Sequence, residues 1–315
     1  MTMRPLLALL AAFVLAQSSA AQQLNQYTQY VFNHFSVNPA VAGSKECLDV
    51  RVGVRQQWMD FEGAPRSGWA SLHGMIRAKG RPYLRNRHGF GAFVEADNAG
   101  NWGYTRFVLA YAYHIQMAQD NFLSFGAFVG AQQMKLDVGN MILTDYNDPV
   151  VASRASATVI PEITPGIWWY NKNAWAGVAM HQAVGNRIQD IGTDARLARH
   201  FMLSGGYRYR MGPKMAIIPS TLIKKAGGSP FAIDINVAAE WNRMFALGVG
   251  YRGGDALTML MKVTFAKYIQ LGYSYDVTTS KLSVAGNNTH EIILGITPCG
   301  GEDGGRRMIS CPAFE

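Results

Sequence analysis

The sequence predicts an all-β fold: a transmembrane antiparallel β-barrel of about 14 strands, with a short N-terminal plug or helix and a C-terminal periplasmic tail. Three observations predict it. Apolar and polar residues alternate with a period of two along most of the chain, as in strands with two unlike faces. Only 16% of the 315 residues are charged, against roughly 25% in an average soluble domain, yet 49% are hydrophobic and the mean hydropathy is close to zero. Past the N-terminus no apolar run approaches the roughly 18 residues of a membrane helix, which excludes a polytopic helical membrane protein. With 7 Trp, 14 Tyr, 15 Phe and 33 Gly, the composition also argues against disorder.

Residues 1–21 read as a secretory signal peptide. Arg4 precedes an apolar stretch at 6–16, and the small residues Ser18-Ser19-Ala20-Ala21 precede a polar start at Gln22. The mature chain is therefore expected to be exported. Its formal charge is +8 before the signal is removed, which favours lipid head groups or acidic partners over nucleic acid. Of the three cysteines, Cys299 and Cys311 share the C-terminal tail and can pair in an oxidising compartment, leaving Cys47 over. No two cysteines have the spacing of a metal site, and no cofactor is expected.

Residues 22–46 form the expected plug. Tyr27, Tyr30, Val31, Phe32 and Phe35 suggest a short amphipathic helix that Asn38-Pro39 should end. So many aromatics do not suit a free arm, so the segment is expected to plug or brace the barrel lumen. The barrel itself spans 47–297, with alternating runs starting near residues 48, 67, 88, 103, 121, 160, 174, 200, 214, 231, 243, 256, 267 and 289. In the run from Phe231 to Trp241, for example, Ile233, Ile235 and Val237 alternate with Asp234, Asn236 and Ala238.

A soluble sandwich would bury the apolar face, whereas a membrane barrel turns it to lipid and points the polar face inward. Three features favour the barrel. Runs of about ten residues match a tilted bilayer crossing of roughly 9–11. The polar face carries Arg51, Arg55, Glu95, Arg106, Arg208, Asp234, Glu240 and Lys262, which can pair in a lumen. Trp102, Trp168, Trp169, Trp241, Tyr251 and Tyr268 fall at strand ends, where interfacial girdles belong. Tight connections alternate with longer ones at 58–66, 137–158, 183–198, 224–229 and 277–288, which sets the short side in the periplasm. One basic connection, 79–87 with Arg81, Arg85 and Arg87, breaks that pattern and is a candidate docking site for a periplasmic partner. Tyr146 in the longest loop is a candidate contact for an external partner, and 298–315 is left as a Gly-rich, Cys-containing periplasmic tail.

The terminal pieces carry a family resemblance. Tyr27-Thr28-Gln29-Tyr30-Val31-Phe32-Asn33, followed by Val37-Asn38-Pro39-Ala40-Val41-Ala42-Gly43, resembles the N-terminal signature of the PorP/SprF family. Further matches are Arg55-Gln56-Gln57-Trp58, Ser71-Leu72-His73, Tyr111-Ala112-Tyr113-His114, Gly272-Tyr273-Ser274-Tyr275-Asp276, His290-Glu291 and Cys311-Pro312-Ala313-Phe314. The resemblance spans essentially the whole mature chain. It implies a non-enzymatic outer-membrane barrel of the type IX secretion and gliding machinery in a Gram-negative bacterium. The implied partners are outer-membrane lipid, a secreted adhesin recognised through its C-terminal sorting domain, and periplasmic lipoproteins of the secretion or gliding motor. The family supplies no catalytic residues to carry over.

Sharper alternatives fare worse. Gly248-Val249-Gly250-Tyr251-Arg252-Gly253 spells a dinucleotide-binding pattern but lies inside an alternating strand with no helix behind it. Ser71, Ser204, His73, His114 and His181 supply the residue types of a hydrolase, but polar residues are the default on a lumenal face. The main rival is a porin or FadL-like transporter of small hydrophobic solutes, and a lumen filled by residues 22–46 would count against it.

Overall fold

The computed structural model describes residues 24–45, 47–76, 86–118, 120–137, 157–187, 196–266, 268–280 and 288–298. The expected signal peptide, the tail beyond Pro298, Tyr146, Arg81 and Arg85 lie outside them. Strands β1 (Asp49–Gln56), β2 (Arg66–Ile76), β3 (Arg87–Ala99), β4 (Trp102–Ala118), β5 (Asn121–Leu136), β6 (Ala157–Tyr170), β7 (Ala174–His181) and β8 (His200–Tyr207) follow one another around the wall. A two-residue β9 (Tyr209–Arg210) continues β8, and β10 (Met215–Ala226), β11 (Ala232–Trp241), β12 (Phe245–Arg252), β13 (Ala256–Phe265), β14 (Ile269–Thr278) and β15 (Thr289–Ile296) complete it.

Neighbours pair antiparallel throughout, and β1 also pairs with β15, from Val50 opposite Ile296 to Gln56 opposite His290. That last ladder closes the sheet into a 14-strand barrel. Each of the fourteen alternating runs corresponds to one strand. The short β9 arises at Pro219, which has no N–H to give. Register is kept across the gap, with Ser220 opposite Gly206 and Ile217 opposite Tyr209, while Arg208 turns its side chain into the lumen.

The faces are inverted relative to a soluble protein. In β1, Asp49, Arg51 and Arg55 are buried toward the lumen, while Val52 and Val54 are exposed on the outside. All eight charged residues expected on the polar face are buried there. Exposed Trp102, Trp241, Tyr251 and Tyr268 fit an interfacial girdle, but Trp168 is wholly buried. A period of two explains that correction: Trp168 and Trp169 must face opposite ways, so only one of them can meet lipid.

The start of β1 and the end of β15 lie on one rim, the near rim, together with the tight turns 171–173, 211–214 and 242–244. The connections after β1, β5, β7, β10 and β14 lie on the far rim with Gly100-Asn101 and 253–255, which are tight, while the ten-residue connection between β2 and β3 falls on the near rim.

One seam is weak. The β5–β6 ladder runs the full length of β6, from Tyr170 to Ala157, but β6 meets β7 only between Gly166 and Tyr170. Pro161 and Pro165 lie on the same edge of β6 as Ile163 and cannot donate across the seam. In place of a ladder, the Ala183 N–H donates to the Ile163 carbonyl (3.1 Å) and Asn186 Nδ2 to the Pro161 carbonyl (2.7 Å). The Ile163 and Ala183 amides should therefore exchange hydrogen faster than those of Val108 and Val129 in the β4–β5 ladder, as measured by hydrogen–deuterium exchange in detergent. Equal protection would show that the seam is as firm as the rest of the wall.

Candidate functional site

The lumen is filled by the chain's own N-terminal segment. Residues 24–45 run from the far half of the barrel down to the near rim, as three 3-10 turns at Thr28–Phe32, His34–Ser36 and Pro39–Val41 in place of the expected single helix. Asn33 and Asn38 break the helix with extended φ values of −142° and −140°. Asn38 then caps the third turn, its Oδ1 accepting from the Ala40 N–H at 3.0 Å, and Pro39 takes the first position of that turn. Pro39 thus begins a turn as well as closing off what precedes it.

At the far end the segment is held by charge. Glu291 accepts the Thr28 N–H (2.8 Å) and the Gln29 N–H (3.3 Å), and Gln29 Nε2 donates to the Glu291 carbonyl (2.7 Å). The Thr28 hydroxyl donates to Asp276 (2.6 Å) and accepts from Arg55 (3.0 Å) and Arg252 (2.7 Å). Behind them Arg55 pairs with Asp276 (2.7 Å) and Glu291 (2.8 Å), and Arg252 with Asp276 (3.4 Å) and Asp234 (3.6 Å). Every one of these wall groups is buried, so each charge depends on its partners for the solvation that water would otherwise supply.

A second knot lies beside it. Arg106 bridges Glu95 (3.1 Å) and Glu162 (2.9 Å), the Tyr27 hydroxyl donates to Glu95 (2.6 Å), and His181 Nε2 bonds the Val37 carbonyl (2.7 Å). Between these groups Tyr30, Val37, Met202 and Leu222 form an apolar cluster, on which Leu24 packs.

In the near half the segment is held by shape. Phe35, Ala40, Val41 and Ala42 pack into the main buried cluster with Phe93, Phe128, Trp168 and Trp175. His114 Nε2 bonds the Ala42 carbonyl (2.7 Å), Ser124 donates to the Ala40 carbonyl (2.7 Å), and Asn38 Nδ2 donates to the Ile167 carbonyl (2.9 Å). The wall approaches so closely here that a Cβ on Gly89 would lie 1.9 Å from the Ala42 carbonyl oxygen, and one on Gly126 2.7 Å from Ala40 Cα. At the near rim Lys45 and Arg51 converge on the buried Asp49, and Arg51 also donates to the Phe32 carbonyl.

The chain matches the model of the type IX secretion system membrane protein PorP/SprF over residues 19–296. It belongs to the PorP/SprF family. No curated protein matches it. Among solved structures, it is similar to the CymD monoaromatic hydrocarbon channel, at 11% identity and a TM-score of 0.47, over 87% of this chain and 92% of that one. A deletion mutant of the TodX monoaromatic hydrocarbon channel matches at 10% identity and 0.47, covering 91% and 97%. A Pseudomonas aeruginosa FadL homologue matches at 10% and 0.43, covering 87% and 94%. At identities and scores this low, what those names say of transport stays with those proteins.

In this PorP/SprF chain, most of the signature residues converge on the plug. Gln29, Arg55, Asp276 and Glu291 build the far clasp. Tyr30 receives Asn236 Nδ2 at 2.9 Å, Asn33 donates to Ser71 (3.4 Å), and Asn38 and Pro39 form the near turn. Gly43, at φ +73°, lies against the Gly89 backbone, where no Cβ would fit. Two signature residues stand apart. His290 faces outward and bonds Tyr273 (2.7 Å), and Trp58, at φ +40°, donates its N–H to Thr289 in the far-rim turn.

Sequence reasoning missed Asp49, Arg252 and Gly89 as plug contacts. Their inward parity was readable, but their partner was not, because the plug is about 250 residues from Asp276 and Glu291. Arg87 is the first residue of β3, buried, with its guanidinium 4.3 Å above the Phe122 ring. Among the described residues no group of three or more His, Cys, Asp or Glu is placed to hold a metal.

Cys47 is disulfide-bonded, so it is not the cysteine left over. Cys299 and Cys311, which the sequence offers as a pair, lie outside the described residues. A thiol reagent applied to the native protein should leave Cys47 unlabelled until a reductant is added, as read by peptide mass spectrometry. Labelling of Cys47 without reductant would contradict the bond.

Proposed function

We propose that this protein is a non-enzymatic outer-membrane barrel of type IX secretion in a Gram-negative bacterium. On this reading it anchors a cell-surface adhesin, or assists its export, through the adhesin's C-terminal sorting domain. The near rim, with the tail at 298–315, faces the periplasm and the lipoproteins of the secretion or gliding machinery. The far-rim loops, including Tyr146, face the exported partner.

The observation that supports this reading most is the filled lumen. Its wall charges are engaged by plug residues or by each other, and its near half is packed with Phe35, Val41, Phe93 and Phe128. A permanently open pore would gain nothing from such a fill, whereas a rigid anchor does, because a preorganised surface loses less entropy on binding. The same fill weighs against an open porin, and bilayer recordings separate this reading from a FadL-like transporter.

Affinity purification of the full chain from native membranes tests the proposal. Recovery of an adhesin bearing a sorting domain, lost when that domain is deleted, is the expected result. Recovery of the barrel alone, together with large steady channels in planar bilayers, would replace it with the porin reading.

A further inference from the structure

We infer that the far rim beside the β6–β7 seam binds the phosphate headgroup of an anionic lipid through Arg187, Arg196 and Arg199. This requires only that the barrel span a bilayer, not that it serve secretion. Beyond β7 the chain turns at Gln182 and Gly185, both left-handed at φ 55° and 61°, and its next residues bond to the edge of β6 that β7 leaves unpaired. Residues 196–199 lie against them in turn. The Leu197 N–H donates to the Asn186 carbonyl (2.9 Å), and Arg187 and Arg196 form an antiparallel bridge. Leu197 is buried against Ile160, whereas Arg187, Arg196 and Arg199 are exposed.

A bridge sets its two residues directly opposite on one face, and like charges so placed repel. Arg187 and Arg196 are such a pair. Residues 182–187, 196–207 and 220–233 contain no carboxylate, and Asp234 next to them faces the lumen, where Lys224 and Arg252 engage it. Arg199 is aimed by its Nε, which donates to the Ala183 carbonyl at 3.0 Å. An anion between the guanidinium groups turns their repulsion into attraction, and Arg can hold two phosphate oxygens at once.

Depth selects a lipid over a soluble anion. Arg199 stands two residues before Phe201 and four before Leu203, both exposed on the outer face of β8, so it lies just beyond the lipid-facing surface. Phe201 is opposite Lys225, whose ammonium is 4.8 Å from the exposed Phe231 ring. Aromatic rings with cations beside them mark the level of the headgroups. A zwitterionic headgroup carries its own ammonium, so an anionic one is preferred. The seam supplies a second, independent observation. The segments that carry the arginines also make the bonds that replace the missing ladder, from Ala183 to Ile163 and from Asn186 to Pro161. A headgroup held by these arginines therefore braces the wall where it is weakest.

The test is native mass spectrometry of the delipidated full chain titrated with phosphatidylglycerol or phosphatidylcholine of matched acyl chains, with hydrogen–deuterium exchange on the same samples. The wild type should hold phosphatidylglycerol at least about tenfold more tightly, and that lipid alone should slow exchange of the Ile163 and Ala183 amides. Arg187→Gln/Arg196→Gln should remove both effects, whereas Arg66→Gln, at an exposed far-rim arginine on β2, should change neither. Equal binding of the two lipids, unchanged exchange at the seam, an unchanged preference in the double variant, or an equal loss in Arg66→Gln would overturn the assignment. Displacement of the lipid by inorganic phosphate would overturn it in favour of a soluble anion, and displacement by polyglutamate in favour of an acidic protein partner. Asp190→Asn/Asp194→Asn should leave the preference as it is. A rise of about tenfold there would overturn the assignment by making those carboxylates the partners of the arginines. If the double variant does not fold, Arg187→Gln alone decides, since no side-chain hydrogen bond or ion pair of Arg187 is present among the described residues to be lost.

Discussion

Glu291→Ala is expected to loosen the plug and destabilise the barrel by about 3–5 kcal/mol, the range for removing one partner of a buried ion pair. Glu291 is fully buried and receives Arg55, two plug N–H groups and, through its carbonyl, the Gln29 amide. Truncating it leaves Arg55 with Asp276 as its remaining carboxylate and strands the Thr28 and Gln29 N–H groups in a dry lumen, where unmade hydrogen bonds are costly. Two measurements read the result. The temperature at which the unboiled barrel loses its fast electrophoretic mobility should fall, and planar bilayers should show current where the wild type is silent. Glu291→Gln keeps the side chain's shape and one acceptor, so its effect should be smaller. An unchanged melting temperature and a silent bilayer for Glu291→Ala would mean that the clasp contributes nothing to seating the plug.

Gly89→Val should have the largest effect on plug seating with little on the wall itself. The added Cβ would lie 1.9 Å from the Ala42 carbonyl oxygen and 3.0 Å from the Gly43 nitrogen, both backbone atoms that cannot step aside by a rotamer change. Either β3 bends or residues 40–43 leave their seat. The second is cheaper, because β3 is laddered on both sides, to β2 and to β4. The variant should therefore still form a heat-modifiable barrel but conduct steadily in bilayers, and its plug should become open to added protease. Gly68→Ala is the control. A Cβ there meets only the Gly53 carbonyl oxygen at 4.0 Å, so stability and silence should be retained. A silent, protease-resistant Gly89→Val protein would show that the plug tolerates a shifted seat, and the shape-fitting account of the near half would fail.

Much of the wall was legible because a strand writes its two faces into alternate residues. Val50, Val52 and Val54 against Asp49, Arg51 and Arg55 identify both strand and inversion without any knowledge of neighbours. Where legibility failed, the cause was also physical. Trp168 sits at a strand end, where a girdle residue is expected, but its parity turns it into the lumen. The plug's spacing of aromatics suggests an amphipathic helix, yet Asn33 and Asn38 cut the segment into turns because their side chains and the wall offer hydrogen bonds that compete with a helix. The weak β6–β7 seam was visible in principle as Pro161 and Pro165, both on the outward face of one strand.

Alternation, which depends only on neighbours along the chain, was enough to determine the membrane barrel, its strand count and the polarity of its lumen. Which lumenal residues meet was decided by closure alone. Pairing β1 with β15 sets Arg55 beside Glu291 and lets the N-terminal segment reach both, across sequence separations that no local pattern records. The chain thus specifies its faces by periodicity, whereas the sealed interior exists only once the sheet has closed around the plug.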